Sequence, residues 1–247
     1  MDFPTLSYSK FNTYIECPRK WEFTYIQHLP EEERSYFTFG RTIHSALEAY
    51  VRPLLPPTDQ KPADLEDLLD LYNIKWKREG YATQEEEYRY YALGQSILTE
   101  FHKDFAAPPE KHPLMVEKDL YAATPAGFGL HGIIDRVDLM EDNRLHVLDY
   151  KTSQKMIQAD AETSDQLSIY QLLVEGNFKL VPGKLTLFHL RSMQQYSVEP
   201  RSKSAVEGLI SRMARVVDDI KSEKFPPTPS WKCRNCPYRT VCPEARF

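Results

Sequence analysis

Two neighbouring stretches decide the fold: Gly132-Ile133-Ile134-Asp135-Arg136-Val137-Asp138 and, a turn later, Leu145-His146-Val147-Leu148-Asp149-Tyr150-Lys151. Both read as strands, the first within 128–140 and the second over 145–151, and Glu141-Asp142-Asn143 turns the chain so that they pair as a hairpin. Side chains alternate faces along a strand. Asp149 and Lys151 therefore project from one side, Leu148 and Tyr150 from the other. The pairing brings Asp135 across from Asp149.

Working outward, 115–121 reads as a preceding strand, 164–176 as an amphipathic helix, 184–191 as a strand and 202–224 as a long helix. Towards the start, 7–26 reads as a helix capped by Ser7 or Ser9 and broken near Cys17, because Pro18 disfavours the helical region for the residue before it. A polar loop over 31–35 leads to Gly40, and 42–51 reads as a second helix carrying His44 and Glu48 one turn apart. Pro53, Pro56, Pro57 and Pro62 mark a linker, after which 64–78 and about 84–105 are helical, stopped by Pro108-Pro109. These form an inserted helical segment over 53–110. The order helix, three strands, helix, strand predicts an α/β fold with a mixed sheet. With 247 residues and 41% hydrophobic content the chain can bury one sizeable core, and 1–247 is read as a single domain.

No apolar run approaches the ~20 residues needed to cross a bilayer, and the first residues carry neither a basic nor an apolar signal region, so a cytoplasmic protein is expected. The net charge of −5 is not the global signature of a nucleic-acid binder. Phosphate contacts would need a local basic stripe, for which Lys10, Arg19, Lys20, Arg201, Lys203, Arg212, Arg215, Arg234 and Arg239 are the candidates.

Two carboxylates from adjacent strands, with a backbone carbonyl, suit a hard oxygen-seeking cation such as Mg²⁺ or Mn²⁺. Such an ion polarises a phosphodiester and acidifies bound water, and Lys151 would orient that water or stabilise the growing charge. His44 adds an imidazole ligand if its helix packs beside the sheet edge, and Glu117 is a possible accessory ligand or supporting acceptor. Singly these signals are weak. An Asp-x-Lys is more often a surface pair, and a lone helical histidine is more often satisfied within its fold. Their joint order along paired strands carries the reading.

These residues resemble the RecB-like branch of the PD-(D/E)XK nuclease superfamily over nearly the whole chain. Gly40-Arg41-Thr42-Ile43-His44 is similar to its glycine-then-histidine helix motif, the strand bearing Asp135 to its acidic strand, and Leu148-Asp149-Tyr150-Lys151-Thr152 to the motif behind the superfamily name. Gln166-Leu167-Ser168-Ile169-Tyr170 resembles the Gln-Leu-x-x-Tyr helix that follows; Ile134 stands where the name has proline. The resemblance implies a restriction-endonuclease-like αβββαβ core. It also implies Mg²⁺ or Mn²⁺ at His44, Asp135, Asp149 and the Tyr150 carbonyl, with Lys151 catalytic and Gln166 and Tyr170 beside it.

The four cysteines form one pattern, Cys17 and then Cys233-x2-Cys236-x5-Cys242. Without a secretion signal, ligation is a better use for them than disulfides. The RecB-like nucleases with an iron-sulfur cluster look like this, which implies a [4Fe-4S] cluster clipping Cys17 to the tail over 225–247; a structural Zn²⁺ is the alternative. The function expected is metal-dependent hydrolysis of DNA, as an exonuclease preferring single strands, in DNA repair, recombination or CRISPR adaptation. One rival reading is a DNA-binding subunit of a helicase or integrase partner with little cutting of its own. Another is a structural zinc protein whose Asp-x-Lys is accidental.

Overall fold

The computed structural model describes residues 5–58, 60–107 and 111–245, and the Pro108-Pro109 stop signal lies outside them. The chain falls into two compact units of interleaved segments. One comprises Met1–Glu32, Tyr121–Gly132 and Ser202–Phe247, the other Glu33–Leu120 and Ile133–Arg201.

The larger unit carries helix α3 (Ser35–Val51), α4 (Leu65–Lys75), α5 (Gln84–Ala106), α6 (Gln158–Glu162) and α7 (Asp165–Phe178). Strands β4 (Leu145–Lys151), β5 (Lys184–His189) and β6 (Gln194–Val198) also belong to it, while β2 (Pro113–Ala123) and β3 (Gly129–Leu139) begin or end in the smaller unit. β4 is the central strand. It pairs antiparallel with β3, Arg136 opposite Leu148, and parallel with β5, Asp149 opposite Leu187; β6 closes that edge antiparallel to β5, and β2 pairs with β3. The parallel β4–β5 step needs a crossover, and α6 and α7 supply it. This is the α/β, mixed-sheet, restriction-endonuclease-like arrangement expected. The strands and α-helices missed are the three-residue strand Thr5–Ser7, β6, which lacks an apolar alternation, and the short α6.

Helix α3 starts seven residues earlier than its periodicity suggests, with Gly40 inside it rather than before it. A glycine in a helix interior costs about 1 kcal/mol, and packing of the buried Phe39, Ile43 and Leu47 on either side of it outweighs that. A β-carbon at Gly40 would sit 3.2 Å from Thr152 Oγ1, so the missing side chain lets α3 approach the end of β4. Helices α4 and α5, capped by Asp64 and Thr83, form much of the core: Leu98, Phe101 and Phe105 join Phe39, Leu47, Tyr150 and Phe188 in one cluster. Below β4, the buried Arg136 donates to Asp138 and to the Tyr150 hydroxyl at 3.0 Å, so its charge is paired inside the core.

In the smaller unit, β1 (Thr5–Ser7) runs parallel to the first residues of β3, and α1 (Tyr8–Glu16), α2 (Pro18–Tyr25) and α8 (Lys203–Lys221) supply the helices. The break at Cys17 stands where the proline places it: Cys17 is extended and Pro18 opens α2. Trp21 stacks on Phe225, Tyr14 donates to the Lys224 carbonyl at 2.6 Å, and buried Tyr238 meets Phe23 edge-on. Thus the tail is folded onto α1 and α2. No helix among the described residues is long and apolar enough to cross a membrane.

Candidate active site

All the expected charged positions of the nuclease motif lie in the larger unit. Helix α3 brings His44 to the β3–β4 pair, where its Nδ1 lies 3.4 Å from Asp135 Oδ1 and 3.5 Å from Glu117 Oε1. Candidate ligand atoms of His44, Glu117 and Asp135 all fall within 4.8 Å of one another. On its far edge the imidazole Nε2 is 3.1 Å from the Tyr150 carbonyl. A carbonyl only accepts, so Nε2 carries the proton and Nδ1 is directed at the carboxylates. The Tyr150 carbonyl, expected as a ligand, accepts from His44 here. Asp135 is held in turn: its Oδ2 accepts from the Tyr150 backbone N–H at 2.6 Å.

Beside this group, strand parity places Asp149 and Lys151 together, with 2.5 Å between Oδ2 and Nζ. Gln166, on the first turn of α7, joins them. Its Oε1 accepts from Lys151 Nζ at 2.7 Å, and its Nε2 donates to Asp149 Oδ1 at 2.7 Å and to the Tyr170 hydroxyl at 2.9 Å. Tyr170 then donates to the Ile133 carbonyl on β3 at 2.8 Å. α7 can present Gln166 and Tyr170 together because they are four residues apart on one face. Burial first, then the Asp135 charge, pushes the Asp149 carboxyl up against the pull of Lys151. Burial would lower the His44 imidazole, but Asp135 and then Glu117 raise it well above its ordinary value. Tyr170 is likewise raised, by burial and then by Asp149 and Asp135.

Glu117 is the residue sequence reading underrated. It sits in β2 with φ +43, a left-handed backbone that costs a non-glycine residue about 1 kcal/mol or more. The kink turns its carboxylate towards His44. Nothing in Val116-Glu117-Lys118 signals this, because the strand pattern there is ordinary.

The donor set fits a divalent cation. Two carboxylates converge with one imidazole, and beside them Asp149 Oδ2 is buried without a well-formed hydrogen bond although Lys151 stands against it as an ion. Clustered buried anions need compensation, and oxygen donors with one imidazole suit Mg²⁺ or Mn²⁺.

A profile described as the PD-(D/E)XK nuclease superfamily matches residues 5–243. The chain belongs to the PD-(D/E)XK nuclease superfamily. A subunit of the ATP-dependent helicase/deoxyribonuclease of Carboxydothermus hydrogenoformans is 26% identical over 210 residues, covering 71% of this chain and 19% of that protein. The chain therefore matches about a fifth of that relative's length. The crystal structure of SSO0001 aligns over 97% of this chain and 96% of that one at 16% identity, with a TM-score of 0.38, too low to bear on the fold.

The cysteines of this PD-(D/E)XK chain lie in the smaller unit. Cys17 occupies the α1–α2 break, Cys233 a single turn of 3-10 helix (Trp231–Asn235), Cys236 its C-cap and Cys242 the turns beyond. Backbone N–H groups of Thr228 and Ser230 donate to the sulfurs of Cys17 and Cys233, each at 3.4 Å. Burial pushes the Cys236 thiol up, and the negative charges of Cys17 and Cys233 add to that, while Lys20 opposes.

Four of the cations expected to form a basic stripe are engaged within the fold. Arg201 donates to the Ala161 carbonyl and Ser168, Lys20 pairs with Glu16, Arg19 with Glu22, and Arg212 lies over Phe11. Near the cysteines in sequence, Trp21 is buried and Trp231 is 69% exposed.

Proposed function

We propose that this chain is a metal-dependent deoxyribonuclease that cuts single-stranded DNA from an end, with His44, Glu117, Asp135 and Asp149 holding Mg²⁺ or Mn²⁺ and Lys151 as the catalytic cation. The convergence of the His44–Glu117–Asp135 group with the Asp149–Lys151–Gln166 group on neighbouring strands carries the reading. When bound, the ion supplies Lewis acidity and an acidified water.

The chain's own residues do the rest. Lys151, positioned by Gln166 and Asp149, presents an ammonium to the phosphate region, where negative charge grows as the phosphorus–oxygen bond forms. Gln166 fixes Lys151 and Asp149 at once, so the cation and the carboxylate keep a constant separation. Tyr170 anchors Gln166 to β3, and His44 locks β4 to α3 through the Tyr150 carbonyl. Residues 1–247 act in this proposal as one nuclease domain. A helicase or integrase partner in repair or recombination is part of the same proposal, supported by the likeness to part of a helicase/deoxyribonuclease. The four thiols are proposed to hold a [4Fe-4S] cluster, with Zn²⁺ as the competitor.

The test uses purified protein with Mg²⁺ or Mn²⁺ and end-labelled single-stranded DNA. Asp149→Ala and Lys151→Ala should each abolish cutting while circular dichroism stays native, and a circular single strand should resist an enzyme that needs an end. Undiminished cutting by both variants would sink the site assignment.

A further inference from the structure

We propose that Tyr36 and Phe37 form a base-stacking platform at the mouth of the catalytic cleft, receiving an unpaired nucleotide of the strand being cut. The proposal rests on the nuclease reading above and names how that site selects its substrate. A cleft of about 600 Å³ in the larger unit is lined by Tyr36, Phe37, Arg41, His44, Lys77 and Lys151, so the aromatic pair and the catalytic groups share one space.

The pair is unusual for its helix. α3 buries Phe39 and Tyr50, yet Tyr36 and Phe37 are 47% and 54% exposed, with ring centroids 4.4 Å apart and planes tilted by 43°. Open apolar rings beside a charged cleft offer a face to another ring, and a nucleobase supplies one. Phe37, Arg41 and His44 follow one another at helical spacing along one side of α3. Seven residues separate Phe37 from His44, a rise of roughly 10 Å, so a base on the platform lies a short reach along the strand from the scissile phosphate. Gly40 falls between them, leaving bare backbone where α3 meets Thr152.

Cations stand on the rim of the same cleft. Arg34 Nη1 is 3.4 Å from the Tyr36 hydroxyl, Arg41 is paired with Glu33 on the same rim, and Lys77 lines the cleft. Aromatic faces interleaved with cations track a single strand, because the phosphates meet the charges while the bases meet the rings. A base locked in a duplex offers no free face, so the same surface discriminates against paired DNA.

The test compares wild type, the Tyr36→Ala/Phe37→Ala double variant, Phe37→Leu and Phe37→Trp. Binding is read by fluorescence anisotropy of labelled single-stranded and duplex DNA with Ca²⁺ replacing Mg²⁺, and cutting by steady-state kinetics with Mg²⁺. The double variant should raise Kd and KM for the single strand on the order of tenfold or more while kcat stays within about twofold. Phe37→Leu should weaken binding and Phe37→Trp should restore it. 2-Aminopurine placed in the strand should be quenched by wild type and not by the double variant. Variants that bind and cut like wild type, or that lose kcat with KM unchanged, would overturn the platform alone; a wild-type chain that neither binds nor cuts DNA would overturn both readings.

Discussion

Gln166 is the residue through which the candidate site is held in register. Its amide can be oriented only one way: the oxygen faces the Lys151 ammonium and the nitrogen faces Asp149 and the Tyr170 hydroxyl. Gln166→Ala removes the acceptor that orients Lys151 and leaves the ammonium held by Asp149. The expected outcome is a fall in kcat on the order of 10–100-fold with little change in KM for DNA, since the residue supports groups that act only during the reaction. A loss confined to KM would instead make Gln166 a binding residue. How legible these residues were depends on what fixes them. Asp149 and Lys151 follow from strand parity and Asp135 from hairpin register, both of which sequence carries. Glu117 depends on a positive φ that an ordinary strand pattern does not announce, and the tyrosine and phenylalanine at 36 and 37 were hidden because α3 begins before its apolar periodicity does.

At the scale of elements, the crossing of α4 and α5 turns on Gly94. A β-carbon there would lie 2.0 Å from the hydroxyl of Tyr72, which is buried and donates to the Tyr91 carbonyl at 3.2 Å. Gly94→Ala would gain up to about 1 kcal/mol of helix propensity but lose about 1–3 kcal/mol or more to overpacking. A net drop in Tm is expected, partly relieved by adding Tyr72→Phe, which removes the clashing oxygen; a Tm raised by Gly94→Ala alone would contradict the crossing. The β4–β5 pair gives a pH test. His146 sits 2.6 Å from Thr186 Oγ1 across that pair, and burial first, then Lys184 and Arg136, pulls its imidazole down to about 4. Its ordinary value is near 6.5, so between about 6.5 and 4 the unfolded chain binds a proton that the folded chain refuses. Stability from this group is therefore whole above 6.5 and falls as pH drops to about 4, by at most about 3 kcal/mol. Urea denaturation at pH 7 and pH 4.5 should show His146→Gln losing less stability than wild type over that interval, and parallel losses would refute the assignment. The long elements of both units were legible because their apolar periodicity is strong. β6 was not, because Gln194-Gln195-Tyr196-Ser197-Val198 is paired through its backbone to β5 and carries little apolar signal.

At the scale of the whole molecule, the proposed cysteine-held group would join parts of the chain more than 200 residues apart, since Cys17 precedes Cys233, Cys236 and Cys242 across nearly the full sequence. Tying such distant points removes loop entropy from the unfolded chain, an effect on the order of 4–5 kcal/mol for a loop this long. The smaller unit has most to gain, because its first and last segments meet through a modest core of Tyr14, Trp21, Phe225 and Tyr238. A [4Fe-4S] cluster of the kind proposed for these thiols is coloured and carries sulfide, whereas a Zn²⁺ site is colourless. Anaerobically purified protein should then be brown, with iron and acid-labile sulfide in place of stoichiometric zinc. Cys17→Ser should bleach it and lower Tm, with amide-exchange protection lost chiefly in α1, α2 and α8 and retained in α3 and β4, each unit having a core of its own. A colourless wild type carrying one zinc per chain would reverse the choice of metal while leaving the tie itself in place, whereas unchanged exchange protection in Cys17→Ser would show that the ends hold together without it.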